Sequence, residues 1–247
     1  MKNLSILKFG GTSVSSDEKI NRIIEIIKEK QKNNEKLIIV VSAMGRFPDT
    51  YATDTFLSKI DDNFKKENKQ GADLLMSCGE IISSVIIANK LVNANINAIP
   101  ITGGPAGIIT DNNFGEATPV KFKPKYLKKL LKENKVPIVT GFQGITKEGI
   151  ITTLGRGGSD TTATIIGNML NAKQIEIYTD VDGIYDKDPN TNKDAKKYEK
   201  LTYKEAQELS EKGAKVIHNK AIKYAQEKSI PIIIKSTMKD TKGTIIN

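Results

Sequence analysis

The run from Lys8 to Ser13, Lys-Phe-Gly-Gly-Thr-Ser, combines a cation, two glycines and two hydroxyls in consecutive positions. Gly10 and Gly11 allow the backbone to approach a ligand closely, and their N–H groups can bind an anion together with the hydroxyls that follow. Lys8 adds a fixed positive charge. The G-x-x-x-x-G-K-[ST] pattern of a Walker loop is absent. The run predicts a phosphate or carboxylate site, and the alternative is a plain strand-to-helix turn with a surface lysine.

A second run, residues 152–161, reads Thr-Thr-Leu-Gly-Arg-Gly-Gly-Ser-Asp-Thr and stands directly before an apolar helical pattern. Arg156 can hold a carboxylate with two parallel hydrogen bonds, and Gly157 and Gly158 at the helix start can form another anion cradle. Asp160 could orient a lysine or a metal ion. Because the chain has only three arginines, an arginine between glycines favours a functional site over a generic surface charge.

Residues 179–185 and 77–80 are less specific signals. The first run, Thr-Asp-Val-Asp-Gly-Ile-Tyr, is either a strand-end turn or a site for a nucleotide base, a ribose or a metal ion. In the second run, Glu80 either complements a helix dipole or binds a substrate ammonium group. His218 and Cys78 are the only histidine and cysteine, so no Ser-His-Asp or Cys-His set is available. The chemistry that remains is positioning and charge neutralisation, as phosphoryl transfer requires.

The elements that must position these residues alternate between strand and helix, which predicts an α/β fold with a mostly parallel sheet. Ligands of such sheets bind beyond the carboxyl ends of the strands, where the runs above lie. The polar segments 46–71 and 186–200 are expected to be loops, the first of them a mobile excursion. Strands are predicted at 4–9, 37–41, 97–101, 136–140, 175–179 and 231–235, a hairpin at 145–151, and helices after Ser16, at 74–92, after Pro124 and at 163–170.

Composition narrows the classes of protein. The chain has 247 residues, enough for one large domain that needs no disulfide or metal to hold its core. With one cysteine, no leader and no apolar run near ~20 residues, disulfide-rich, secreted and membrane-spanning proteins are excluded at this stage. We attribute the net charge of +9 to solvated lysines rather than to a nucleic-acid site. Examples on apparent outer helix faces are Lys28, Lys30, Lys32, Lys128, Lys129 and Lys132.

These motifs resemble those of the aspartate kinases, a branch of the amino-acid kinase family, in order and spacing over the whole chain. The opening run and residues 154–160 are the most specific. The resemblance implies the amino-acid kinase fold, a mainly parallel central sheet between helix layers. It also implies a single catalytic domain over 1–247, with an N-terminal lobe, 1–172, for the amino acid and a C-terminal lobe, 173–247, for the nucleotide. The matching segments are 8–14, 42–45, 53–54, 79–80, 141–144, 152–160, 179–185 and 213–216.

The resemblance implies transfer of the γ-phosphoryl group of ATP to the side-chain carboxylate of L-aspartate. The product, 4-phospho-L-aspartate, leads to lysine (through diaminopimelate), threonine and methionine. Because that carboxylate is ionised at pH 7, no general base is needed. Mg²⁺ is expected to arrive on the nucleotide phosphates rather than on protein ligands. A cytoplasmic homodimer or higher homo-oligomer is expected, with neither a nucleic acid nor a membrane as a partner.

The resemblance also implies residue roles. Lys8 would neutralise the phosphoryl group in transit, Asp160 would orient the lysines, and Arg156 and Glu80 would hold the substrate carboxylate and ammonium groups. The expected catalytic residues are Lys8, Asp160 and Lys215; the ATP contacts are Lys8, Gly10, Gly11, Thr179, Asp180, Tyr185 and Lys215; the substrate contacts are Thr53, Glu80, Arg156 and Ser159.

The chain departs from the family pattern in three places. Asn190 replaces an arginine that would lie near the nucleotide phosphates, and Asn219 replaces a proline. The two regulatory ACT domains of most aspartate kinases have no counterpart, so we expect the single chain to be insensitive to lysine and threonine. Two alternatives stay open: another amino-acid kinase, acting on glutamate, acetylglutamate, carbamate or UMP, and a non-catalytic subunit.

Overall fold

A computed structural model describes residues 3–187, 189, 191–192, 194–211 and 217–247. Strands and helices alternate along the chain, as the sequence predicts. The strands are β1 Leu4–Phe9, β2 Lys36–Val41, β3 Ala98–Ile101, β4 Ile108–Thr110, β5 Pro119–Phe122, β6 Val136–Thr140, β7 Gln143–Ile145, β8 Ile151–Thr153, β9 Gln174–Thr179, β10 Lys200–Leu201, β11 Ile232–Ser236 and β12 Thr244–Ile246. The helices are α1 Asp17–Lys32, α2 Thr53–Leu57, α3 Asp62–Glu67, α4 Lys69–Asn93, α5 Gly103–Ala106, α6 Lys125–Lys132, α7 Gly158–Leu170, α8 Tyr203–Glu211 and α9 Asn219–Gln226, with a short 3₁₀ turn at Gly11–Val14.

A central sheet runs in the order β10-β12-β11-β9-β1-β2-β6-β3. Its pairs from β11 to β3 are all parallel, and β12 is antiparallel to β11. The predicted α/β architecture with a mainly parallel sheet is therefore confirmed. Since β1 lies between β9 and β2, the carboxyl ends of these three strands meet at one edge.

Apolar residues cover both faces of this sheet. The strand residues are aliphatic at nearly every position because both faces are packed. On one face, α1 packs through Ile20, Ile23 and Ile27, and α4 packs through Ile87 and Leu91. On the other face lie α6, α7 and α9, whose buried residues form a second cluster with β1, β9 and β11.

A small second sheet, in the order β5-β4-β7-β8, lies beside the first. It contains the predicted hairpin, in which β7 and β8 pair antiparallel. The short strands β4 and β5 were not predicted from the sequence. The buried Asp73 of α4 attaches this sheet to the helix, because its carboxylate accepts from the N–H and hydroxyl of Thr153, at 2.7 and 2.8 Å, and from the N–H of Gly115.

Two sequence-based expectations are wrong in detail. The segment 46–71 was expected to be a loop, but it carries α2, α3 and the start of α4. Asp61 caps α3 by accepting from the N–H of Phe64 at 2.7 Å, so a local polar signal rather than an apolar face starts this helix. Lys30 does not lie on an outer face: its side chain is mostly buried and pairs with the buried Glu176 of β9.

Helix α4 also modifies the expectation about membrane spans. By length and composition it could cross a membrane, with a mean hydropathy of 1.5 over its most apolar window. Half of that window is buried, and the core helix of a soluble protein passes the same test. The outer side of the helix, where Val85 and Val92 are about half exposed, carries the remaining apolar residues.

Candidate active site

A cavity of about 310 Å³ opens beyond the carboxyl ends of β1, β2 and β6. Its walls come from the turn after β1, the loop after β2, the early part of α4 and the start of α7. These elements are far apart in sequence and meet because their strands are neighbours in the sheet. Of the predicted site residues, the cavity is lined by Lys8, Gly11, Thr53, Glu80, Arg156, Ser159 and Asp160.

Lys8 and Asp160 form an ion pair inside this cavity. The Lys8 Nζ lies 2.7 Å from Asp160 Oδ1, and the two side chains are only 11% and 12% exposed. Lys8 is at the penultimate position of β1, and Asp160 is in the first turn of α7, where the helix dipole favours a negative charge. The pair holds the ammonium group still at the cavity wall, so the charge is in place before a ligand arrives.

The two glycines of the first run have different roles in the structure. A Cβ on Gly11 would lie 2.5 Å from the carbonyl oxygen of Ala43, so this glycine allows the turn to touch the loop after β2. A Cβ on Gly10 would meet nothing closer than 3.6 Å, and its nearest neighbour would be Lys8 Nζ. The space over Gly10 therefore faces the lysine and is open to a ligand.

The start of α7 presents the second glycine run. Gly157 has φ +71°, and a Cβ there would lie 2.4 Å from the Cβ of His218, so both conformation and packing require glycine. The turn places Arg156 at the cavity rim, where its side chain is exposed and makes no hydrogen bond or ion pair with any other described residue. Ser159 is buried against Gly141 at the end of β6. The guanidinium is thus available to a ligand.

Glu80 is the most deeply buried carboxylate of the cavity. Gly79 makes this possible, because a Cβ there would lie 2.7 Å from the Cβ of Ala43 and would push α4 away from the loop after β2. The Ala43 N–H donates to Glu80 Oε1 at 3.1 Å, while Oε2 has no partner among the described residues. Burial raises the pKa of Glu80 to about 8, with the Ala43 N–H opposing that rise. A buried carboxylate with a free oxygen suits a substrate ammonium group.

The nucleotide contacts predicted at the end of β9 and beyond it lie outside the cavity lining. Thr179 ends β9, and Asp180 and Tyr185 follow it; this end of the strand is level with the glycine turn after β1. The Thr179 hydroxyl donates to Asp180 at 3.0 Å. The Tyr185 hydroxyl donates to Asp182 at 2.7 Å, and Lys197 lies 3.3 Å from the same carboxylate. Burial opposes the charge of Asp182, but these two contacts outweigh it and lower the pKa of Asp182. The Tyr185 hydroxyl thus orders its own loop.

Lys215 and Asn190 lie outside the residues that the structure describes. The expected second lysine at the phosphates and the effect of the missing arginine therefore stay predictions. Within the described ranges, no group of three or more His, Cys, Asp or Glu side chains could hold a metal ion.

Arg46 and Phe142 are among the cavity-wall residues to which the sequence assigns no role. Arg46 lines the cavity from the loop after β2 and pairs with Asp180 at 3.3 Å. Phe142 has φ +70°, which is uncommon for a bulky residue, and packs against Gly158. The scarcity of arginine was a usable signal for Arg46, since only three are present. Nothing in the sequence around Phe142 indicates its backbone conformation.

The chain is similar to known aspartokinases in sequence and in fold. Aspartokinase 1 of Bacillus subtilis is 39% identical over 241 residues, which cover 98% of this chain and 60% of that protein. Among solved structures, aspartate kinase from Synechocystis superposes with a TM-score of 0.84 at 34% identity, over 98% of this chain and 39% of that one. E. coli aspartokinase III, in complex with aspartate and ADP, superposes with a TM-score of 0.82 at 26% identity, over 99% of this chain and 64% of that one.

The chain spans about 60% of the length of the curated relatives it matches. The family model described as the amino acid kinase family covers residues 3–236. The chain belongs to the amino acid kinase family.

Proposed function

We propose that this chain transfers the γ-phosphoryl group of ATP to the side-chain carboxylate of L-aspartate, giving ADP and 4-phospho-L-aspartate. The observation that carries the proposal is one cavity that holds the Lys8–Asp160 ion pair, the unpaired Arg156 and the half-paired buried Glu80. Together these offer a cation for a phosphoryl group, a cation for a carboxylate and a buried carboxyl group that would ionise to pair with an ammonium. The named relatives, which include an aspartokinase bound to aspartate and ADP, support the same assignment.

The acceptor amino acid would lie between Arg156 and Glu80. Arg156 would hold its α-carboxylate through two parallel hydrogen bonds. Glu80 would hold its ammonium group, which would satisfy the free Oε2. Thr53 at the start of α2 and Ser159 in α7 line the same space and would add hydroxyl contacts. The second carboxylate is then free to point towards Lys8.

The reaction needs no general base, because the attacking carboxylate is already ionised at pH 7. One of its oxygens forms a bond to the γ-phosphorus as the bond from that phosphorus to the bridging oxygen breaks. The electron pair leaves with ADP, and no proton is transferred. Lys8, held by Asp160, neutralises charge on the oxygens in transit. Lys215 is proposed to act with Lys8 from the segment outside the described residues.

The nucleotide would lie over the carboxyl ends of β1 and β9. Gly10 and Gly11 would receive its phosphates, and Thr179, Asp180 and Tyr185 would contact the nucleoside. Mg²⁺ would arrive on the phosphate oxygens of the nucleotide and would neutralise part of their charge. This division gives the N-terminal lobe, 1–172, to the amino acid and the C-terminal lobe, 173–247, to the nucleotide.

4-Phospho-L-aspartate would feed the synthesis of lysine through diaminopimelate, of threonine and of methionine. We propose a cytoplasmic homodimer or higher homo-oligomer that binds no nucleic acid and no membrane.

The test is ADP release by the purified chain, followed with a coupled enzyme assay in the presence of Mg²⁺. Parallel reactions contain aspartate, glutamate, UMP or no acceptor. The proposal predicts ADP release that depends on aspartate and is much slower with glutamate, whose extra methylene displaces the acceptor carboxylate. Release that depends on another acceptor would assign a different amino-acid kinase. No release with any acceptor, from a folded chain, would favour the non-catalytic subunit.

A further inference from the structure

Arg46 is held at the cavity by its backbone while its side chain stays in solvent. The Gly45 N–H donates to the carbonyl oxygen of Gly11 at 3.1 Å, which fastens the loop after β2 to the glycine turn. The Arg46 N–H donates to the Asp49 carboxylate at 3.0 Å, and the Asp49 N–H donates back to the carbonyl of Arg46 at 2.7 Å. The Cα of this residue is therefore fixed, and its long side chain can move.

The guanidinium of Arg46 lies across the site proposed for the phosphates. Its Nη2 is 3.3 Å from Asp180 Oδ2. Arg46 follows β2, Asp180 follows β9, and β1 lies between these strands. The ion pair therefore spans the carboxyl end of β1, where Lys8 lines the cavity and the space over Gly10 faces Lys8. A nucleotide whose phosphates bind there must approach this pair.

Arg46 is held more weakly than the neighbouring cation. The Arg46 and Asp180 side chains are 75% and 54% exposed, against about a tenth for Lys8 and Asp160. Exposed pairs of this kind contribute little to stability, because water screens them. A guanidinium binds phosphate oxygens with two parallel, charge-assisted hydrogen bonds, which are stronger. We therefore expect Arg46 to bind a phosphate group more strongly than it binds Asp180.

We propose that Arg46 is a further phosphoryl-binding residue, which leaves Asp180 and binds the terminal phosphate of the nucleotide when ATP enters. The exchange frees Asp180 for the nucleoside and brings a second cation to the transferring group, in addition to Lys8. This inference rests on the proposed phosphoryl transfer but not on which compound accepts the group.

Binding measurements separate this role from a structural one. The Arg46→Ala variant is titrated with ADP and with a non-hydrolysable ATP analogue, both with Mg²⁺, in a calorimeter. We expect the analogue to bind roughly tenfold or more weakly, and ADP to bind as in the wild type, because only the analogue carries the terminal phosphate. Arg46→Lys keeps the positive charge but cannot form two parallel hydrogen bonds, so its affinity for the analogue should lie between those of the wild type and Arg46→Ala. Equal weakening of both nucleotides would mean that Arg46 only tethers the loop, and would overturn the proposal.

A second variant tests whether Arg46 leaves Asp180 when the terminal phosphate binds. Asp180→Asn affects any nucleoside contact equally for ADP and for the analogue, but it releases Arg46 for the analogue alone. We therefore expect the ratio of analogue affinity to ADP affinity to rise in Asp180→Asn, and to show no rise when Arg46→Ala is added. An unchanged ratio in Asp180→Asn would contradict the exchange.

Arg22→Ala is the matched control. Arg22 is also an ion-paired surface arginine, 2.8 Å from Asp240, but it lies outside the cavity. It should leave both affinities and the turnover unchanged, whereas Arg46→Ala should lower turnover by roughly 10–100-fold, less than a fully buried donor would. Failure of the aspartate assignment would appear as wild-type protein that binds both nucleotides but phosphorylates another acceptor or none. Identical behaviour of the two arginine variants would overturn only the role of Arg46.

Discussion

At the scale of single residues, the cavity contains one pair of side chains that neutralise each other and two side chains that lack a complete set of partners. Lys8 and Asp160 neutralise each other at 2.7 Å, while Arg156 has no partner among the described residues and Glu80 has one oxygen unpaired. A buried polar atom without a partner, such as the free oxygen of Glu80, costs stability unless a ligand completes the pairing, whereas the exposed guanidinium of Arg156 is solvated until a ligand binds. This distribution gives each residue a distinct expected behaviour on substitution.

Lys8→Met should lower kcat by about 10²–10³ and change the KM for aspartate little, because the ammonium acts on charge that develops in the transition state. The measurement is steady-state kinetics at varied aspartate. The substitution also leaves the mostly buried Asp160 unpaired, so Lys8→Met with Asp160→Asn is the necessary control. If the double variant recovered most of the turnover, Lys8 would serve only to neutralise Asp160.

Arg156→Lys should raise the KM for aspartate steeply and leave the KM for ATP nearly constant. A lysine ammonium at this exposed position cannot reproduce two parallel hydrogen bonds to a carboxylate. Initial rates at varied aspartate and varied ATP distinguish the two constants. A change confined to the ATP constant would place Arg156 at the nucleotide.

We expect aspartate binding to depend on pH because of Glu80. Burial raises its pKa to about 8, so the carboxyl group of the empty cavity is mostly protonated at pH 6. Because the substrate ammonium prefers the ionised form, aspartate affinity should rise by up to about tenfold per pH unit between pH 6 and 8, and then level off. Calorimetric titration across this range measures it. Glu80→Gln should bind weakly and show a flat profile; a slope unchanged in that variant would assign the proton to another group.

Glu80 should also make the free energy of unfolding depend on pH. The folded pKa of Glu80 is above its unfolded value, so the folded protein keeps a proton that the unfolded chain releases. The contribution of Glu80 to stability is therefore fully present below its unfolded pKa of 4.5 and is lost as the pH rises from there to about 8. Glu80→Gln should lose less stability than the wild type over that range in urea unfolding.

At the scale of elements, the sequence predicted those strands and helices that have a clear apolar period or that end at a glycine turn. The strands β1, β2, β6 and β9 and the helices α1, α4, α6 and α7 lie at the expected positions, because long buried patterns leave little choice. The short strands β4 and β5 have no such pattern, and their pairing is fixed by tertiary contacts. The helix α3 lacks a buried face and starts from its Asp61 cap. Pairs distant in sequence, such as Arg46 with Asp180, depend on the strand order, which no local pattern reports.

Asp73 should fix α4 to the second sheet. Asp73→Ala leaves the N–H groups of Thr153 and Gly115 without their acceptor, so we expect a loss of roughly 2–4 kcal/mol in the free energy of unfolding. Urea unfolding followed by circular dichroism measures the loss. The control is Asp62→Ala, which removes the fully exposed partner of Lys65 and should leave the unfolding midpoint unchanged. Equal midpoints for both variants would contradict the role of Asp73.

At the scale of the whole molecule, one continuous sheet positions both halves of the proposed reaction. The strand order places the end of β9, proposed for the nucleotide, next to the end of β1, and the amino-acid side of the cavity next to β2 and β6. The resemblance to known kinases led to this division, and the structure adds the distances that make it testable. The lysine-rich surface is a separate feature: Lys128, Lys129 and Lys132 lie on the exposed side of α6, away from its buried leucines.

The identity of the product tests the central claim most directly. An acyl phosphate reacts with hydroxylamine to give a hydroxamate, so the purified chain is incubated with ATP, Mg²⁺, aspartate and hydroxylamine, and the product is identified by mass spectrometry and chromatography. The proposed geometry predicts the hydroxamate of the side-chain carboxylate, in an amount equal to the ADP released, and little of it from Lys8→Met. The α-hydroxamate, or ADP without any hydroxamate, would contradict the proposal that Arg156 and Glu80 hold the α-groups and direct the side chain to Lys8.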